Sequence, residues 1–348
     1  MAMRWLSRLA AADAVPVFPV VGENGLAAAE NLFLDPRLRP VPSPRHARVL
    51  LVLGETGQTL NRQLRRLHDQ LSHPRATLWC DAVPDPDFGR ATESSDTADA
   101  VVEAYRSMFA GAMDTEPDIH PNEPPNEWRG KGTNGQGGDG MMGGTPYGRP
   151  MAMTDDDLRD GLQLDAYSAT FGPFLPAFPP GLALDITLQG DSIQAVSVSH
   201  PPFRQETDHS RTGSLRNLAR LLRVLGVPAL AARFIAAARK LEDGGTIDLD
   251  VLARAFDWSG AMHIIPSDLG SFGGEGRDVR SRVRAWLNIA RGRQEPAPLG
   301  QPALSFVDLV KGLEWYEAVI VLNSFDNNAL RNLCPVENTD DQTEEAPQ

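Results

Sequence analysis

The chain has 348 residues, of which 41% are hydrophobic and 23% charged, a balance that can bury sizeable cores and that excludes wholesale disorder. Its length predicts two modules rather than one. A formal net charge of −13 works against nucleic-acid phosphates as partners, and only two cysteines, Cys80 and Cys334, are present, with no CxxC pair. A structural zinc site wants about four Cys or His ligands and a Ni–Fe site two CxxC pairs, so no cofactor is expected. Each cysteine reads as a small buried apolar residue.

Residues 1–43 read as a Pro-punctuated leader, too interrupted by Arg4 and Arg8 for a signal peptide. No apolar run approaches the roughly 20 residues that span a bilayer, which predicts a soluble, cytoplasmic chain. Ala47–Leu53 (ARVLLVL) is a continuous apolar run and predicts a buried parallel strand. Leu60, Leu64, Leu67 and Leu71 follow at helical spacing, and Ala76–Cys80 resumes a strand, giving a strand–helix–strand unit over residues 44–114 that closes on a helix from Asp96 to Met113. Glu55 stands in the turn after the first of these strands. Its carboxylate reads either as a proton relay or as a charge partner for the next helix N-terminus.

Residues 115–150 turn to Pro and Asn and then to a segment, Arg129–Arg149, with nine glycines in twenty-one positions; this reads as the connection between modules. Gly130, Gly132 and Gly135, and then Gly135, Gly137 and Gly140, spell a dinucleotide fingerprint, but no strand precedes them and no helix follows. Two readings remain: a plain linker, or a loop ordered by a partner through Trp128, Met141, Met142 and Tyr147.

From residue 151 to 336 the pattern is α+β. Thr154 with Asp157 predicts a short helix start. Leu182, Leu184, Ile186 and Leu188 alternate with small or polar residues, and a turn at Gln189–Ser192 returns the chain through Ile193–Ser199 as a hairpin. Leu215, Leu218, Leu221, Leu222 and Leu225 form a helical stripe, and further helices are predicted near Pro228–Leu241, Asp248–Phe256, Arg277–Arg291 and Ser305–Val321, together a helical bundle. Seven scattered histidines, with His200 and His209 too far apart for a helical i, i+4 pair, read as exposed or as satisfied in the core. Residues 337–348 read as a solvated acidic tail. The expected fold is thus an α/β module with a partial parallel sheet, followed by an α+β module with a β-hairpin and a helical bundle.

Several stretches carry a resemblance. Pro44–Ala82, with Arg45, Asp69, Gln70, Pro74, Arg75 and Cys80, resembles the small cluster-bearing subunit of complex I and of membrane-bound nickel–iron hydrogenases. Phe171–Phe203, with Gly172, Pro173, Pro176, Gly181, Gly190 and Asp191, looks like the start of the large subunit of the same families. Leu175 and Pro179 or Pro180 stand there near the positions of that subunit's two loop histidines. Leu222–Pro228 (LRVLGVP) and Leu313–Leu330 are similar to later parts of the large subunit, the second to its SFDPCLxC metal motif.

Ser324, Phe325 and Asp326 are kept from that motif; Asn327 replaces its proline, Asn328 its first cysteine, and Arg331 falls on its second. The resemblance implies a degenerate cluster position at Cys80, a degenerate nickel–iron motif and a degenerate quinone loop. It further implies a non-catalytic structural subunit, docked on membrane-embedded, ion-translocating partners at the inner face of the membrane. The alternative it leaves open is a redox-active subunit of an NADH–quinone oxidoreductase or hydrogenase complex that shares cofactors with its partners.

Overall fold

The computed structural model describes residues 14–92, 97–120, 153–156, 163–206, 210–271, 278–295 and 305–334. A five-stranded, all-parallel sheet forms the first unit, in the order β2-β1-β3-β4-β5: β1 (Val15–Val21), β2 (Leu38–Pro40), β3 (Val49–Leu53), β4 (Ala76–Cys80) and β5 (Arg90–Thr92). Helices α1 (Leu26–Leu32) and α3 (Thr97–Ala110) cover one face and α2 (Asn61–Gln70) the other. Both faces of the central strands are therefore buried, which is why every position of β3 and β4 is buried and all but Thr77 are apolar rather than alternating. Val49, Leu51 and Leu53 join the core under α1 and α3, while Leu50 and Val52 join Leu64 and Leu71 on the other side.

The leader reading is corrected here: residues before Pro44 supply β1, β2 and α1, and β1 lies inside the sheet. Its two prolines obscured it, and the register explains why they are tolerated. Pro16 precedes the first residue paired with β3, and Pro19 follows the last residue paired with β2, so each missing N–H falls where its ladder is absent.

The second unit opens with an antiparallel sheet in the order β6-β7-β8-β9, comprising β6 (Met153–Asp156), β7 (Gln163–Phe171), β8 (Ala183–Gln189) and β9 (Ser192–His200). Thr154 is thus in an edge strand, paired with Asp165, and not at a helix start. The β8–β9 hairpin turns at Gly190, at φ 60, and Asp191. Leu184, Ile186, Ile193 and Val196 face the helices α4 (Arg211–Val224), α5 (Pro228–Glu242), α6 (Leu249–Trp258), α7 (Ala261–Ile264), α8 (Val279–Ala290), α9 (Phe306–Val310), α10 (Trp315–Leu322) and α11 (Asn327–Leu333) in one core. All five leucines of the predicted α4 stripe are buried in it.

The single helix expected over Ser305–Val321 is two. Gly312, at φ 81, breaks it. The broken segment lies against the hairpin turn: Ile193 N–H donates to the Leu313 carbonyl, Gly312 N–H to the Ile193 carbonyl, and Trp315 N–H to the Asp191 carbonyl (2.9, 2.8 and 2.7 Å). Backbone groups that a continuous helix would have satisfied internally are satisfied by the sheet instead.

Thr115–His120, assigned from sequence to the connection, is fastened to the first unit. The Asp69 carboxylate accepts from the backbone N–H groups of Ile119 (2.9 Å) and His120 (2.8 Å). Arg75 is fully buried. It donates through Nη2 to Asp118 (2.6 Å), through Nε to the Glu116 carbonyl (3.2 Å) and through Nη1 to the Leu71 carbonyl (3.3 Å). His68, also fully buried, sits between Asp69 and Glu116 with ring nitrogens 3.0 and 3.1 Å from carboxylate oxygens. The DQ and PR residues of the resemblance (Asp69, Gln70, Pro74, Arg75) therefore lie beside or within this clasp.

Candidate functional site

The two units meet where the turn between β1 and α1 receives the chain leaving β9. Leu26, the first residue of α1, needs an acceptor for its N–H that the helix cannot supply, and Gly25 before it has no side chain. Gln205 of the second unit supplies it. Its Oε1 accepts from Leu26 N–H (3.1 Å) while its Nε2 donates to the Gly22 carbonyl (2.9 Å). Nearby, Asn24 N–H donates to the Arg204 carbonyl (3.0 Å).

Gln205 is in turn held by Asn328. The Gln205 N–H donates to Asn328 Oδ1 (3.2 Å), and Asn328 Nδ2 donates to the Gln205 carbonyl (2.8 Å). Asn327 donates to the Phe203 carbonyl and Arg331 to the Pro202 carbonyl, so three side chains of the C-terminal segment grip residues 202–205. Asp326 caps α11 by accepting from Ala329 N–H (2.8 Å).

Behind this clamp lies an ionic cluster crossing the junction. Arg216 of α4 donates through Nη1 to Glu30 Oε2 of α1 (2.9 Å), through Nη2 to Asn31 (3.0 Å), and through Nε and Nη2 to Glu242 of α5 (2.9–3.2 Å). Arg220, one turn further along α4, donates to Asn217 and lies with Nη1 3.7 Å from Glu30 Oε1. Burial pushes the Arg220 guanidinium below its ordinary pKa, against the opposing pull of Glu30 and Asp326. Burial also acts to lower Arg216, but its contacts with Glu30 and Glu242 outweigh it and leave the guanidinium above its ordinary value. A cavity of about 310 Å³ opens here, lined by Glu30, Arg216, Arg220 and Glu242 together with Ala27, Gln205, Asp326 and Asn328.

The structure brings Ser324, Phe325, Asp326 and Asn328, the residues read from the resemblance as a degenerate nickel–iron motif, to this junction but distributes them unequally. Asp326 and Asn328 line the cavity. Ser324 and Phe325 face the core of the second unit: Ser324 Oγ accepts from Arg282 Nε and Nη2 (3.0 and 2.7 Å) and donates to the Val321 carbonyl (2.6 Å), and the Arg282 guanidinium lies 4.3 Å over the Phe325 ring. Burial lowers the Arg282 pKa to about 10.

The loop carrying Gly172, Pro173, Leu175 and Pro176 leads into β8. Gly172 holds φ 103, and a Cβ there would lie 2.1 Å from the Leu182 carbonyl oxygen. Pro173 is buried, Leu175 packs on the second core and Pro176 is exposed. The neighbouring Phe174 packs on the core of the first unit, so this loop too spans the junction. Asn323 Nδ2 donates to the Ala177 carbonyl (2.9 Å), tying the loop to the segment that carries the motif.

Cys80 stands apart. It is buried between the sheet and α3, with Sγ 3.2 Å from Thr97 Oγ1, and burial pushes its thiol up. Burial likewise pushes Cys334 up, to about 12. Glu55 is exposed and accepts from Val83 N–H (3.0 Å), fixing a loop. Trp128, Met141, Met142 and Tyr147 lie outside the described residues.

Sequence reasoning missed Glu30, Arg216, Arg220 and Gln205. Glu30 sits in an Ala-rich stretch, and Arg216 interrupts the leucine stripe within a run, Gly213–Ala219, that is buried on every side. The sequence carried no signal of this, because Arg216 stands among Ser214, Asn217 and Arg220 as on any polar helix face, and its burial appears only in the structure. Comparison with protein-family models, with curated proteins and with solved structures finds no match.

Proposed function

We propose that this chain is a non-catalytic structural subunit of a complex I-like or hydrogenase-like membrane-associated respiratory assembly, docking on ion-translocating membrane subunits at the inner face of the membrane. One observation carries the reading: Asn328, on the position of the motif's first cysteine, uses both ends of its amide to clamp the Gln205 backbone. Arg331, on the position of the second, is tied to the Pro202 carbonyl. Residues on ligand positions thus act as fasteners within the second unit, holding the segment whose Gln205 side chain reaches the first. The order of units, a parallel α/β unit followed by a hairpin and helices, agrees with a small-subunit-like module joined to a large-subunit-like one.

Membrane association in this reading comes from partners. Among the described residues no helix is long and apolar enough to cross a membrane. Affinity purification of the tagged chain from detergent-solubilised membranes, with mass spectrometry and iron and nickel analysis, tests the proposal. The expected result is co-purification with integral membrane subunits and sub-stoichiometric metal in the chain itself. Stoichiometric iron or nickel in the purified chain would overturn it.

A further inference from the structure

We propose that His68 is held as an imidazolium bridging Asp69 to Glu116, and that this bridge is a pH-sensitive latch on residues 115–120, closed while the ring carries both protons and loosened as pH rises. The ring is fully buried, with Nδ1 3.0 Å from Asp69 Oδ1 and Nε2 3.1 Å from Glu116 Oε2. A neutral imidazole has one N–H to give, so it donates to one of these groups while the lone pair of its other nitrogen faces the second. Asp69 takes the N–H groups of Ile119 and His120 (2.9 and 2.8 Å) and Arg75 Nη2 (3.4 Å) as further donors, the company of an ionised carboxylate. The other oxygen of Glu116 accepts from Thr77 N–H (2.9 Å). Two carboxylates call for two donors, and only the doubly protonated ring supplies both.

The bridge crosses between the parts that the clasp joins, since His68 and Asp69 belong to α2 and Glu116 to the fastened segment. A buried imidazolium needs counter-charge, and the surroundings provide it. On α2 itself, Arg65 is taken up by Asp85 and Asp87 (3.0 and 2.6 Å). Phe88, just before β5, covers the ring with centroids 4.7 Å apart. His73 Nε2 lies 3.4 Å from Asp118 and His120 Nδ1 3.1 Å from Asp69, their side chains 48% and 41% exposed. Three of the chain's seven histidines thus meet Asp69, Glu116, Asp118 and Arg75 at one place. With the rings neutral, three carboxylates face a single arginine, and the second proton on His68 offsets one of the uncompensated charges. Its loss sets a lone pair against a buried carboxylate and takes from the segment one of its anchors. Closure needs that proton, so raising the pH through the histidine range favours opening.

Nitrogen NMR of the full chain with labelled histidine, titrated from about pH 6 to about pH 9, tests this together with hydrogen exchange at Ile119 and His120, corrected for the intrinsic pH dependence of exchange. At the acid end the His68 ring, identified by its contact with Phe88, should show two protonated nitrogens. As it loses one, protection of the Ile119 and His120 amides should fall about tenfold. Glu116→Gln keeps an acceptor for Thr77 N–H but removes the charge, and should flatten the pH profile of protection while circular dichroism stays that of the wild type. His73→Gln and His120→Gln should leave the profile unchanged. A neutral His68 ring across the range, a ring doubly protonated throughout, or protection that does not follow the ring would overturn the proposal. So would a wild-type profile in Glu116→Gln, or its loss in His73→Gln or His120→Gln, which would assign the response to an exposed ring. Should Glu116→Gln fail to fold, the wild-type titration and the two exposed-ring variants decide the question.

Discussion

Two buried arginines organise this molecule, and they do so differently. Arg75 works within the first unit, where each guanidinium nitrogen meets an acceptor and the result is a clasp that fastens residues 115–120 to the sheet. Arg216 works between units, joining Glu30 to Glu242 across 186 and 26 residues of sequence, and the cluster around it leaves one carboxylate oxygen without a donor. The first is a closed network; the second borders open volume. A saturated network fixes a conformation, whereas the second leaves Glu30 only partly satisfied.

The most damaging substitution lies in the second core. Leu184 is fully buried there, and Leu184→Asp should unfold the second unit, an unpaired buried charge costing several kcal/mol against a total of roughly 5–15. Circular dichroism in urea would show it. If the first unit is independent, part of the signal should survive with the cooperativity of the parallel sheet; if the junction is essential, all of it goes in one transition.

Next in size, Arg75→Ala removes the centre of the closed network and should cost about 3 kcal/mol, the low end for a broken buried pair because Asp118 keeps a third of its side chain in solvent. Hydrogen exchange should then rise at Ile119 and His120. Asn328→Ala acts only on the junction. It leaves the Gln205 N–H and carbonyl without their partner and should cost about 1–3 kcal/mol, with exchange rising at Leu26 rather than at Ile119. The two variants therefore separate clasp from junction by place as well as by magnitude.

The smallest effect is acid sensitivity of the clasp. The Arg75 hydrogen bond holds the Asp118 carboxyl below its ordinary value. For Asp69, burial acts upward, and the N–H donors of Ile119 and His120 together with His68 outweigh it, so it too sits low. Carboxyls depressed in the folded state contribute stability above the unfolded pKa of about 3.9, and this is lost as pH falls through the folded values. Melting temperature should therefore decline below about pH 4, and Arg75→Ala should flatten the part of that decline owed to Asp118.

The strands β3 and β4, the β8–β9 hairpin and the leucine stripe of α4 were legible because each follows from local periodicity and apolar content. β1 was not: its prolines read as breakers, and only the register with its neighbours shows that their missing N–H groups are harmless. The break at Gly312 was hidden for a similar reason, since the backbone acceptors that make it stable come from a hairpin more than a hundred residues earlier. At the site, the motif positions Asp326 and Asn328 could be found in the sequence and do line the cavity. Glu30 could not, because a single acidic residue in an alanine-rich helix resembles any solvated one until Arg216 is placed against it.

The Gln205 contacts with Gly22 and Leu26 span 183 and 179 residues, and so bear on the order in which the protein is made. As the chain leaves the ribosome, β1 through β5 emerge long before the side chain that caps α1. At synthesis rates of about 5–20 residues per second, the start of α1 waits some ten seconds or more for Gln205, and longer for Asn328 to secure it. During that interval Glu30 has no arginine partner from the second unit and α1 lacks its N-terminal acceptor. Helix α1 is thus synthesised well before the residues that complete it.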